Sequence, residues 1–145
     1  IRGRLKEIIV TSTGEKIAPV DLEFAIQNDP LFEQVFVYGE NRPFISALLV
    51  VQPELWQLLC REMELDPEDP ATLTDRSMTR LLLKRVRAAA KDFPSYGIPR
   101  SIAVVREPFT IENGLLTPTM KPRRKEIFAR WGHLIEAIYS GHPAA

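Results

Sequence analysis

The residues best suited to chemistry lie in one run, Glu112 to Arg124, reading ENGLLTPTMKPRR. Asn113 and Gly114 both tolerate positive φ and suit a turn. Pro118 and Pro122 remove two backbone donors and push Thr117 and Lys121 out of the helical region, so the run is a stiff loop and not a helix. Lys121 stands near the end of that loop, just before a segment with helical apolar spacing. An ammonium group held this way is a point cation that can be delivered to one place. A second set of cations, Arg76, Arg80, Lys84, Arg87 and Lys91, recurs at spacings of four, four, three and four and must share one helix face. Such a face could bind phosphates or an acidic surface, or simply meet solvent. Near the start, Arg4 and Lys6 lie in a short polar segment, and Gly14 lies in a turn.

Bulk properties narrow the classes. With 145 residues the chain is one domain by length and can bury a real core. Its 19 basic and 19 acidic residues leave no net field to attract nucleic acid or an anionic membrane. One cysteine, Cys60, excludes an internal disulfide and a cysteine-based zinc site; on a helical segment it reads as a half-buried structural thiol. Such a chain suits a reducing compartment and is expected in the cytoplasm, with a peripheral association with the membrane left open. No apolar run approaches the roughly 20 residues of a spanning helix. His133 and His142 have no partners at ligand spacing, so no metal site is expected. Internal repeats, a Walker lysine loop and a Rossmann glycine fingerprint are missing. Ile1 opens the chain without methionine and a motif follows within two residues, as expected of a piece of a longer protein.

The elements that must carry these residues can be read in order. Ile8 to Thr11 and Lys16 to Pro19 flank a Gly-bearing turn as a hairpin. Pro19 suits a first helical turn, Asp21 and Glu23 favour the helix's positive end, and Leu22, Ala25 and Ile26 form its apolar stripe. Phe32 to Tyr38 and Phe44 to Val51 read as an antiparallel strand pair around a turn over Gly39 to Pro43. Leu55, Leu58, Leu59 and Met63 recur at helical spacing. Thr74 can cap a further helix with Met78, Leu82, Val86 and Ala89 on its apolar face. Ile102 to Val105 is a short buried strand, and Ile127, Phe128, Trp131, Leu134, Ile135 and Ile138 form a last amphipathic helix. The sum is an α+β domain of two layers: an N-terminal hairpin, a short mixed or antiparallel sheet of about three strands, and flanking helices.

NGLLTPTMK with a following Arg-Arg resembles the last conserved motif of AMP-forming acyl-CoA synthetases, in the wording of the long-chain fatty acid members. Gly3-Arg4-Leu5-Lys6-Glu7, the hairpin glycine and Ile17-Ala18-Pro19 resemble that family's other hallmark, where the chain passes from the large N-terminal domain into the small mobile one. Many relatives carry Asp where Gly3 stands. The resemblance runs from Arg2 to about Tyr139. It implies a single C-terminal lid over residues 1–145, with 1–7 as hinge and linker. By the same resemblance, Lys121 bridges the substrate carboxylate and the ATP α-phosphate as adenylation proceeds. Arg4 contacts nucleotide, Lys6 is the hinge, Gly14 lies beside the tunnel for coenzyme A, and Arg87 and Lys91 are candidates for its phosphates. The implied enzyme is a long-chain fatty acid–CoA ligase. It uses ATP, Mg²⁺ and CoA to form an acyl-adenylate with release of pyrophosphate, then a thioester with release of AMP. Its N-terminal adenylation domain would be the partner and would hold the fatty acid pocket, so the chain alone would be inactive. Alternatives are an enzyme that loads an acyl carrier protein, and a non-catalytic interaction module.

Overall fold

A computed structural model describes residues 8–140. Arg4, Lys6 and the linker expected over 1–7 therefore lie outside the described residues. Strand β1 (Ile9–Val10) pairs antiparallel with β2 (Lys16–Ile17), with Ile9 opposite Ile17. The turn between them includes Gly14 at φ +89°, a backbone region that suits glycine. Helix α1 (Pro19–Ile26) begins on its proline, where a missing N–H is no loss.

The main sheet is β3 (Phe32–Tyr38), β4 (Ser46–Val51) and β5 (Ser101–Val105), with β4 in the centre, antiparallel to β3 and parallel to β5. Helices α2 (Pro53–Glu62) and α3 (Arg76–Ala89) lie between β4 and β5, and α4 (Arg124–Ser140) closes the chain. Every residue of β4 is buried, as the unbroken run SALLVV requires, because a strand apolar on both faces must be covered twice. Two apolar clusters result. Val35, Val37, Ala47, Leu49 and Val104 face α1, α2 and α3, while Phe36, Leu48, Val50 and Val105 pack with α4 and the loop before it.

The two layers expected from the sequence thus become three, since α4 covers the sheet face that the other helices leave open. Smaller corrections have local causes. Asp75 and not Thr74 caps α3, accepting from the Met78 N–H at 3.0 Å; Thr74 ends a short 3₁₀ turn, Pro70–Thr74. In α2 the buried face is Trp56, Leu59 and Cys60, while Leu58 is half exposed. Cys60 is fully buried, not half-buried, and burial pushes its thiol pKa up, which fits an inert structural thiol. Helix α3 ends at Ala89, so Lys91 falls in the turn beyond it, and Ala90 takes the buried place expected of Ala89. Helix α4 is kinked at Trp131 (φ −121°, ψ 15°), next to Gly132.

One tie fastens α4 to the sheet. The Tyr139 hydroxyl, near the end of α4, donates to the Phe44 carbonyl at 2.8 Å and lies 2.9 Å from the Ser46 Oγ. Burial is the main cause that raises its pKa to about 12 from the ordinary 10. Folding therefore favours the protonated phenol. Stability from this group is complete below pH 10 and is lost as pH rises towards 12. Tyr139→Phe is expected to cost about 1 kcal/mol at neutral pH and to flatten the fall in stability over that alkaline window, as denaturant titrations at stepped pH would show.

Candidate functional site

The loop that carries Lys121 is built as a small closed hairpin. Thr110 and Asn113 exchange hydrogen bonds, each backbone N–H reaching the other's side-chain oxygen at 3.0 Å, while the Asn113 amide donates to Pro108 O at 2.8 Å. Leu115 and Leu116 then turn inward and are buried, and Leu116 bridges to Pro122. Between them the tip Thr117–Lys121 bonds to itself: Thr117 N–H to Lys121 O at 2.8 Å, Met120 N–H to Thr117 O at 2.8 Å, and Lys121 N–H to Thr117 Oγ1 at 3.1 Å. Met120 takes φ +68° to close it, a conformation that is uncommon outside glycine. The stiff loop expected from the prolines is thus a hydrogen-bonded tip. Lys121 is exposed at its end, and its ammonium has no hydrogen bond or ion pair among the described residues.

Two polar clamps mount this excursion on the sheet. Where the loop begins, Gln34 of β3 brackets Phe109, its amide donating to Phe109 O at 2.9 Å while its oxygen accepts from Phe109 N–H at 2.7 Å. Where the loop ends, Arg124 makes two bonds of 2.8 Å to the carboxylate of Glu23, which also accepts from Val37 N–H at 2.8 Å. Glu23 was readable in the sequence only as an acidic residue early in a helix. Its partner lies 101 residues away, so no local pattern could have indicated the pair, and Gln34 carries no local signal either.

Between α1 and the loop lies a groove of about 680 Å³, with Val20, Phe24, Leu116 and Met120 among its walls, Glu23 and Arg124 among its lining residues, and Lys121 at its edge. Phe24 and Met120 are 67% and 63% exposed, and with Gln27, Glu33 and Gln34 also among its lining residues the groove is of mixed character.

A second groove, of about 600 Å³, shares no lining residue with the first. Thr13 and Glu15 line it from either side of Gly14, facing Arg87, Tyr96 and Arg100. Gly14 itself has open space where a Cβ would stand. The hairpin turn is docked onto the β3–β4 turn through Ser12 N–H to Arg42 O at 2.9 Å and Asn41 N–H to Val10 O at 2.8 Å. Of the residues singled out from the sequence, Arg87 thus shares a groove with the turn that holds Gly14, whereas Lys91 is not among its lining residues. Arg100, whose guanidinium lies 5.4 Å from the Phe44 ring centre, is a further lining cation that the sequence did not mark.

The other stripe cations, Arg76, Arg80 and Lys84, are exposed like Arg87 and Lys91, and none of the five has an ion pair among the described residues. Among the described residues no group of three or more His, Cys, Asp or Glu side chains could hold a metal ion, and no helix is long and apolar enough to cross a membrane.

The profile of the AMP-binding enzyme C-terminal domain matches residues 6–143. The chain is similar to the chloroplastic long-chain-fatty-acid–[acyl-carrier-protein] ligase AEE15 of Arabidopsis thaliana, at 32% identity over 97% of this chain and 18% of that protein. It is also similar to the long-chain-fatty-acid–CoA ligase FadD15 of Mycobacterium tuberculosis, at 34% identity over 97% of this chain and 24% of that protein. Among solved structures, the adenylation domain of a carboxylate reductase from Mycobacterium chelonae superposes with a TM-score of 0.79 at 30% identity, over 94% of this chain and 20% of that one. The chain therefore spans about a fifth to a quarter of the length of these relatives.

Proposed function

This chain belongs to the family of C-terminal domains of AMP-binding enzymes, and on that premise we propose that it serves as the mobile lid of a long-chain fatty acid–CoA ligase. In the first half-reaction a fatty acid carboxylate oxygen attacks the α-phosphorus of ATP and pyrophosphate leaves. Lys121 supplies positive charge where negative charge gathers on the phosphoryl oxygens. In the second, the thiol of CoA attacks the acyl carbonyl and AMP leaves. The groove beside Gly14 receives the acceptor, and Arg87 meets its phosphates. Lys91, beyond that groove, has the weaker case for such a contact. Arg4 contacts the nucleotide, and Lys6 is the pivot towards an N-terminal adenylation domain that holds the fatty acid. Mg²⁺ accompanies ATP.

The observation that carries this reading is the ammonium of Lys121, without a hydrogen bond or ion pair among the described residues, beside a groove of mixed apolar and polar lining, on a tip whose backbone bonds close on themselves. The acceptor is tested by supplying the enzyme that carries this domain with CoA or with a phosphopantetheinylated carrier protein. CoA is expected to be the better acceptor. Arg87→Ala should raise the KM for CoA about tenfold, the low end for loss of a charge-assisted bond at an exposed site, and leave pyrophosphate release untouched. Preference for the carrier protein, with Arg87→Ala neutral towards CoA, would move this domain to the carrier-loading ligases.

A further inference from the structure

Glu23 is a carboxylate that is only 5% exposed, in the middle of a short helix, and it takes three hydrogen bonds of 2.8 Å. Its place relative to Lys121 gives those bonds a meaning. The tip Thr117–Lys121 makes its backbone bonds to itself, so its position is set by its two legs. The incoming leg is held by Gln34 and by the buried Leu115 and Leu116. On the outgoing leg Pro122 has no N–H to give. Arg123 reaches back to Leu115 O and Gly114 O, inside the same excursion, and forward to Glu126 on α4. The first side chain after Lys121 that ties the outgoing leg to the sheet and α1 is therefore Arg124, through Glu23 and so to Val37 of β3, with its guanidinium also 5.7 Å from the Phe36 ring centre.

A buried ion pair is seldom the most stable filling for such a space, because removing two charges from water offsets much of their attraction. What the bidentate fork does supply is direction, fixing both a distance and an angle. Glu23 and Arg124 both line the groove, so the pair links its two walls: α1, which presents Val20 and Phe24, and the loop, which presents Met120 and Lys121.

We propose that Glu23 is a positioning residue for Lys121: by locking Arg124 against β3 it sets where the ammonium is delivered during adenylation. The inference rests on the reading of Lys121 as the adenylation cation. It requires that Glu23 act on that half-reaction alone, and only while Lys121 is present.

The test is a double-mutant cycle in the enzyme that carries this domain. Glu23→Gln keeps an acceptor for Val37 N–H but weakens the fork. It is expected to lower kcat for adenylation by about tenfold to a hundredfold, as a small misplacement of a reacting group does. KM for ATP and fatty acid should stay within about twofold, because groups that bind the ground state are untouched. Thioester formation from preformed acyl-adenylate should be unchanged, and the Lys121→Ala/Glu23→Gln enzyme should be no slower than Lys121→Ala. A further loss in the double variant, or an equal loss in both half-reactions, would make Glu23 a structural residue and overturn the proposal. If Lys121→Ala leaves adenylation intact, the underlying reading falls first and this inference with it. Thermal melts check folding. Should Glu23→Gln fail to fold, Glu23→Asp, which keeps the charge on an arm one methylene shorter, carries the same cycle with the same pattern expected at smaller size, and additivity there overturns the proposal equally.

Discussion

Lys121→Ala in the enzyme that carries this domain is expected to slow acyl-adenylate formation by about 10²–10³-fold, the usual loss when a group aimed at developing charge is removed. The protein should be as stable as before. The Lys121 ammonium has no hydrogen bond or ion pair among the described residues, and the Lys121 backbone, which closes the loop tip through Thr117, is kept by alanine. Thioester formation from synthetic acyl-adenylate and CoA should therefore persist near its original rate. Pyrophosphate exchange measured beside that second half-reaction decides the matter. Equal losses in the two would give Lys121 some task other than stabilising the first transition state.

Lys6→Pro is expected to have the opposite signature. The groove edged by Lys121 and the groove between the hairpin and Arg87 share no lining residue. If each meets the same reacting carbonyl in its own half-reaction, one rigid domain must present two faces in turn, and it can do so only by turning about a linker whose φ and ψ are free to change. Residues 1–7 are the linker expected from the sequence, and proline fixes φ there near −65°. Adenylation should stay within about tenfold while thioester formation drops by about a hundredfold or more, as when a conformational gate is blocked. Parallel losses would indicate misfolding or a pivot elsewhere, and an unaffected enzyme would show that no turn about Lys6 is needed.

How much of this was legible in the chain depended on the range of the interaction involved. Periodicity marked the helices, the unbroken apolar run marked β4 as the central strand, and the prolines marked the Lys121 loop, because each is a local property of backbone and side-chain spacing. The third layer was implicit in that same run, since a strand apolar on both faces needs two covers, but nothing local said that α4 supplied the second. Glu23 shows the limit most clearly. Two residues from the acidic Asp21, it reads as one more charge at a helix start, and only the fold brings Arg124 to it beside the edge strand β3. Gln34 is the same case: an uncharged amide in a strand, whose use as a bracket for Phe109 depends on a segment 75 residues later. Leu58 and Trp56 exchanged roles for a related reason, since a stripe counted from leucines alone misses the larger side chain that the core selects.

The basic face of α3 has a consequence for how the molecule meets a surface. From Arg76 to Lys91 there are six basic residues and no acidic one, in a chain whose formal charge sums to zero. At physiological ionic strength a charge is felt over about 8 Å, far less than the width of the domain, so a polyanionic matrix senses the nearest face and not the sum. Arg85 is paired with Asp29, but the other five leave the neutral protein expected to bind a cation-exchange matrix with α3 foremost. Its retention on a charged resin reports the layout of its charges, which an isoelectric point near 7.0 conceals.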